Sequence, residues 1–284
     1  MNRKKTEEII FKTLMNISVF LITGSLLLII FSIFYRGLGS LSWEMISQTP
    51  KGGFYFGKEG GILNAIIGSL YLSFGATLLA MVVGIPIALY INVYLVKHKS
   101  FVNAIRFFMD LLWGVPSIVY GAFGFTLMVM FGMKASLLAG IITVSIFILP
   151  IMVRGLDEVL KTVPKGLMEA SLSLGSTKSE TAFRVFLRQT IPGLTTAILL
   201  SFGRAIGDAA SVLFTTGYTD YIPTSLSQPT ATLPLAIFFQ LGSPIEEVRN
   251  RAYASALILT VIILIISIVS RLVSSRYNKQ RIKF

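Results

Sequence analysis

Long apolar runs recur along the chain, at about Leu14–Tyr35, Leu63–Tyr94, Leu111–Phe131, Ala135–Val153, Gly193–Gly217 and Tyr253–Val273. Roughly twenty such residues, wound as a helix, cross the hydrocarbon core of a bilayer. Lipid offers the backbone no hydrogen-bond partner, so a crossing segment must satisfy its own N–H and C=O groups, and continuous apolar runs do that as helices. The expected fold is an all-α polytopic membrane protein with six transmembrane helices. Hydrophobic residues make up 54% of the 284 and charged residues only 13%, which excludes an ordinary soluble domain. The absence of cysteine excludes a disulfide scaffold, a thiolate metal site and a cysteine nucleophile. The first run is too long, and lacks the small-residue site, for a cleavable leader, so none is expected.

Three parts follow: a basic arm over 1–13, a membrane domain over 14–273 with a polar stretch at 154–192, and a basic tail over 274–284. The second run carries Ala76, Ala80, Gly84 and Ala88 at four-residue spacing, a small-residue ridge that lets another helix approach closely. The third run is expected to break near Gly114 and Pro116. Six crossings place both termini on one side. Of the 25 Lys and Arg residues, eighteen fall on that side and six on the other, with Arg204 inside the fifth run. The excess puts both termini and the 154–192 stretch in the cytoplasm. The net charge of +12 therefore belongs to orientation in a membrane, and no nucleic-acid partner is expected.

The 154–192 stretch reads as two short helices with a sharp turn. Pro164 suits the first turn of a helix and Gly175 the left-handed position just past its end. Thr177 with Glu180 forms a capping box for the second helix. Leu167, Ala170 and Leu174 share one face of the first helix, with Ser171 beside them, giving a narrow apolar edge suited to a groove on a partner. Glu169-Ala170-Ser171, with Gly175 six residues after the glutamate, resembles the EAA–Gly loop of ABC importer permeases, with Ser171 in the third position and Leu187-Arg188 in place of that family's later Leu-Pro. The resemblance implies a coupling helix, built from Leu167, Glu169, Ala170, Ser171, Leu174 and Gly175, that docks on a cytoplasmic ATPase. An ordinary amphipathic loop is the alternative reading.

The fifth run holds two ionisable residues, Arg204 and Asp208, in an otherwise apolar segment. A charge at the centre of a membrane helix costs about 2.5–3.5 kcal/mol on insertion scales, so such groups face protein or a water-filled path. Spacing i, i+4 lets guanidinium and carboxylate meet on one helix face. Ser201, Arg204, Asp208, Ser211 and Thr215 step by three and four, which predicts one polar stripe along a helix. Two readings stay open: a translocation path lined by these five residues, or a buried ion pair that holds helix register. Arg204-x-x-Gly207-Asp208 also resembles the Arg-x-x-Gly-Glu segment of phosphate importer permeases of the PstA type. Gly60 to Ile66, Gly114 to Val119, Pro223 to Leu226 and Thr232 to Pro234 extend the likeness over about residues 60–265.

That resemblance implies the permease architecture of a type I ABC importer, with a coupling helix between spans four and five. It also implies a homologous second permease (PstC type), two ATPase subunits (PstB type) that hold ATP and magnesium, and an external phosphate-binding protein (PstS type). The chain itself is expected to carry no cofactor, no metal and no enzymatic activity. The implied location is the cell membrane of a prokaryote, multi-pass and surrounded by lipid. A permease for another oxyanion (sulfate, molybdate or phosphonate) is the alternative within the class, and a passive anion channel lies further off. Gly52 to Lys58 matches G-x-x-x-x-G-K, but Glu59 stands where a phosphate-binding loop needs Ser or Thr for magnesium, and no buried strand precedes it. His98, the single histidine, has no second ligand within reach in the sequence.

Overall fold

The computed structural model describes residues 3–51 and 59–278. The Gly52–Lys58 run and the last part of the basic tail lie outside the described residues. Helix α1 (Arg3–Ser40) is one rod of 38 residues, about 57 Å at 1.5 Å per residue. The basic arm expected as a separate segment is its first turns. A short helix α2 (Trp43–Ser47) is capped by the Ser42 hydroxyl, which accepts from the Met45 amide at 3.1 Å. Strands β1 (Pro50–Lys51) and β2 (Glu59–Gly60) pair antiparallel and lead into α3 (Leu63–Leu89), whose last turn continues as a π-helical segment over Tyr90–Tyr94.

The third expected span is a broken pair. Helices α4 (Lys99–Gly114) and α5 (Ser117–Met130) meet at 96° across Val115-Pro116. Proline lacks the N–H that would continue α4 and pushes the preceding residue into an extended conformation, and Val115 is extended accordingly. Helix α6 (Leu137–Leu160) is capped by the Ser136 hydroxyl and runs seven residues past the expected span end at Val153, so the polar stretch begins within it. Next comes α7 (Lys165–Ser173). Then α8 (Lys178–Glu180), a π-helical segment over Thr181–Leu187, and α9 (Arg188–Gly207) form one rod of 30 residues. The second short helix expected before Pro192 is thus the foot of the fifth span. The loop after it folds back as α10 (Leu233–Leu241), with Leu233, Leu235 and Ala236 fully buried, before α11 (Glu246–Asn278).

Neighbouring side chains give the helix directions. Gly75 of α3 faces Ile141 of α6, Gly84 faces Met152 and Val153, and Asn92 bonds Asp157. Numbers rise together, so α3 and α6 run parallel. The ridge Ala76, Ala80, Gly84 and Ala88 is buried along this seam, as the spacing requires. The chain must cross between the end of α3 and the start of α6, and the α4–α5 pair carries that crossing. Gly155 faces Ala197 and Gly193 faces Val159, so α9 runs antiparallel to α6. Gly37, near the end of α1, meets Tyr253 and Leu257 near the start of α11. Five single helices and one bent pair thus alternate in direction, and α7 sits at the end of the bundle where α3 and α6 finish.

Candidate functional site

The knob at α7 is built as the spacing requires at its end and differs along its edge. Gly175 has φ +83°. Its amide donates to the Leu172 carbonyl at 3.0 Å and that of Ser176 to the Ser171 carbonyl at 3.3 Å, a paired closure of the last turn that needs the left-handed residue. Thr177 and Glu180 form the reciprocal capping box, Thr177 Oγ1 accepting from the Glu180 amide at 3.2 Å and Glu180 Oε2 from the Thr177 amide at 3.0 Å. Pro164 is the capping residue just before α7, one position ahead of its expected place. The apolar edge is divided. Leu167 and Met168 pack inward on the bundle core, while Glu169, Ala170 and Leu174 are exposed, Leu174 at 86%. Ser171 Oγ and Thr181 Oγ1 lie 3.0 Å apart and tie α7 to the foot of the fifth span.

At the other candidate site, the expected helical stripe is overturned. Helix α9 ends at Gly207, and Asp208 is extended with φ −90° and ψ 124°. A single helix face cannot then hold all five residues. Asp208 turns its Oδ2 to accept from the Ser211 amide at 2.8 Å, capping the turn that follows. Arg204 makes no ion pair with it; its guanidinium lies over the Phe147 ring, 5.3 Å from the centroid. A carboxylate just past a helix end bonds the amides of the following turn more readily than a partner four residues back, because those amides are nearer. Ser201, Ser211 and Thr215 are all buried, with the Ser201 hydroxyl donating to the Ala197 carbonyl at 2.9 Å. The Ser211 hydroxyl is buried with no hydrogen-bond partner among the described residues. The five residues form a cluster around a break, with Arg204 on its exposed rim. Phe147 stands ten residues into α6, about 15 Å from its start, so Arg204 lies well inside the length of the bundle. In the loop beyond, burial pushes the Asp220 carboxyl above its ordinary range.

A third constellation escaped the sequence reading. Asp157 of α6 is 1% exposed, yet it gathers three cations. Arg106 of α4 reaches it with two nitrogens, at 2.9 and 3.0 Å, Arg154 at 3.0 Å and Lys161 at 3.1 Å, and the Asn92 amide donates at 2.8 Å. Arg154 also holds Asp110 at 2.6 Å and Glu158 at 3.1 Å. The signal was present in α4: Lys99, Asn103, Arg106 and Asp110 step by four, three and four along an otherwise apolar helix, which draws one polar stripe. Its last two members, Arg106 and Asp110, bond Asp157 and Arg154 and bind the first half of the broken span to the polar end of α6. Among the described residues no cluster of His, Cys, Asp or Glu could hold a metal ion.

Apolar helices alternating in direction, with an exposed helical knob at one end of the bundle, define a polytopic membrane protein. A model of the family described as binding-protein-dependent transport system inner membrane components matches residues 80–279, and the chain belongs to that family. Its likeness is specific within the family: it is 33% identical to the phosphate transport system permease protein PstA of Yersinia pestis over 88% of this chain and 84% of that one. It is 31% identical to the PstA protein of Haemophilus influenzae over 95% and 94%. The fold matches a chain of the inward-facing MetNI methionine ABC transporter with a TM-score of 0.61 at 20% identity, over 75% of this chain and 95% of that one. The chain is therefore a multi-pass membrane transport subunit, not an enzyme. In such a system ATP and magnesium act through separate ATPase subunits.

Proposed function

We propose that this chain is one permease subunit of an ATP-driven importer of inorganic phosphate, that it forms half of the transmembrane path, and that Arg204 lines the path. The observation that carries the path assignment is Arg204 itself. Its guanidinium is exposed on the single chain, lies over an aromatic ring and makes no ion pair among the described residues. Such a charge belongs against water or a partner subunit. A guanidinium offers forked donors that match an oxyanion. The buried hydroxyls of Ser201, Ser211 and Thr215 and the carboxylate of Asp208 surround the same break. The likeness to PstA proteins points to phosphate as the anion rather than sulfate, molybdate or phosphonate.

In this reading a homologous second permease of the PstC type completes the path. Of two ATPase subunits of the PstB type, one docks on α7 through Glu169, Ala170, Ser171 and Leu174. A binding protein of the PstS type delivers phosphate at the opposite face, and ATP-driven closure pushes α7 and with it the rod of α8 and α9. The excess of basic residues on the α7 side supports the reading that α7 and both termini face the cytoplasm of a prokaryotic cell. The test is uptake by the complete complex in liposomes. Arg204→Gln abolishes phosphate uptake while assembly and basal ATP hydrolysis persist, and Arg204→Lys also transports poorly, because an ammonium lacks the planar fork. Uptake by Arg204→Gln at the unaltered rate refutes the path assignment. Uptake of sulfate in preference to phosphate refutes the choice of anion.

A further inference from the structure

A cavity of about 380 Å³ lies between α4, the ends of α3 and α6, and α7. Four cations line it, Lys99, Arg106, Lys161 and Lys165, together with Asn103 and with Glu169 as its one carboxylate. Two of the four are already matched, since Arg106 and Lys161 spend their charge on Asp157. Lys99 and Lys165 are exposed and make no ion pair among the described residues. They are also the first residues of α4 and α7, whose capping positions, His98 and Pro164, supply no side-chain hydrogen bond. Two helix starts with uncapped amides thus add their partial positive charge to two unmatched ammonium groups. Leu95, Val102 and Phe186 supply apolar wall, which strengthens electrostatic attraction by excluding water.

From this cavity we infer a binding site for a phosphate-bearing anion, held between Lys99 and Lys165 with Asn103 as a neutral donor. Lysines act on phosphate as point charges and need no planar match, so the two can close on it from opposite helices. The group would tie the first turn of the coupling helix to the first turn of the broken span. Occupancy would therefore bias the position of α7 on the bundle. Two sources supply this chemistry: the headgroup of an anionic phospholipid, for which basic pockets between membrane helices at the cytoplasmic face are suited, and free phosphate. The inference stands apart from what the transporter carries, because the cavity shares no residue with the Arg204 cluster.

The full-length permease in detergent tests it. One arm measures retained phosphatidylglycerol against phosphatidylcholine by native mass spectrometry, and the other follows thermal unfolding during titration with inorganic phosphate. Lys99→Gln with Lys165→Gln weakens binding about tenfold in the arm that reports the true source. Lys99→Arg with Lys165→Arg keeps it. Lys4→Gln with Lys12→Gln, which removes the same charge elsewhere, leaves it unchanged. A phosphatidylglycerol effect assigns the lipid and a phosphate effect the free anion; a phosphate response lost only in Arg204→Gln belongs to the path instead. Both lysines are exposed, so the Gln pair unfolds at the unaltered temperature without ligand, and each single Gln substitution gives a partial loss. Unaltered binding in both arms by the Gln pair overturns the inference.

Discussion

Asp157 shows how one buried carboxylate can organise two helices. It lies at 1% exposure among Arg106, Arg154 and Lys161, which are themselves one-fifth to one-third exposed. Neutralising the acid leaves these cations facing one another without their counter-charge. Asp157→Asn is predicted to cost about 3 kcal/mol, read as a lowered unfolding midpoint of the purified permease and as faster proteolysis between α4 and α5. Glu158, 58% exposed, also meets Arg154 and Lys161. Solvent and salt screen that pair, so Glu158→Gln is predicted to cost under about 1 kcal/mol. Equal losses from the two substitutions would show that the network is a surface decoration rather than a joint.

At the scale of the element, α7 and α8 meet at an angle set by one backbone position. Gly175 has φ +83°, and the space into which a Cβ would project there is open to 4 Å, so a side chain is strained by backbone conformation alone. Gly175→Val is predicted to cost about 1–2 kcal/mol in the turn, tilting α7 and lowering both ATPase co-purification and uptake, with membrane insertion intact. Gly166 has equally open surroundings but lies inside α7 at an ordinary φ. Gly166→Ala is predicted to be neutral or to stabilise the helix by about 0.5–1 kcal/mol. Unaltered uptake by Gly175→Val would reduce the turn to a connector. The break after Gly207 belongs to the same scale. Its cluster of buried hydroxyls exists because the chain leaves the helix there, which brings Ser211 and Thr215 back beside α5 and α6.

For the whole molecule, the parallel run of α3 and α6 decides how the bent α4–α5 pair counts. Helix α5 has 14 residues, about 21 Å, and alone falls short of a roughly 30 Å core. With its partner it still carries the chain from one face to the other, so the start of α1 and the end of α11 lie on the α7 side. A reporter active in the cytoplasm is predicted to be active when fused after Phe284 or within 176–180, and inactive at Gln228. Activity at Gln228 would reverse the orientation and separate α7 from any cytoplasmic ATPase.

The sequence by itself determined the number of crossings, the small-residue seam on α3, the capping box at Thr177 and the left-handed turn at Gly175. These rest on local or periodic properties: apolar length, four-residue spacing, and the backbone freedom of one glycine. Only the tertiary structure decided where polar residues find their partners. The spacing of Arg204 and Asp208 presumed a helix that the chain abandons at Gly207, and a pattern holds only while its period does. Leu167 and Leu174 share a face in spacing, but the bundle draws one inward and leaves the other to solvent. Asp157 reaches Arg106 across fifty-one positions, a pairing that follows from the parallel packing of α3 and α6 and the bend at Pro116. Local chemistry sets each element, while long-range ion pairs and buried hydroxyls depend on which elements the packing brings together.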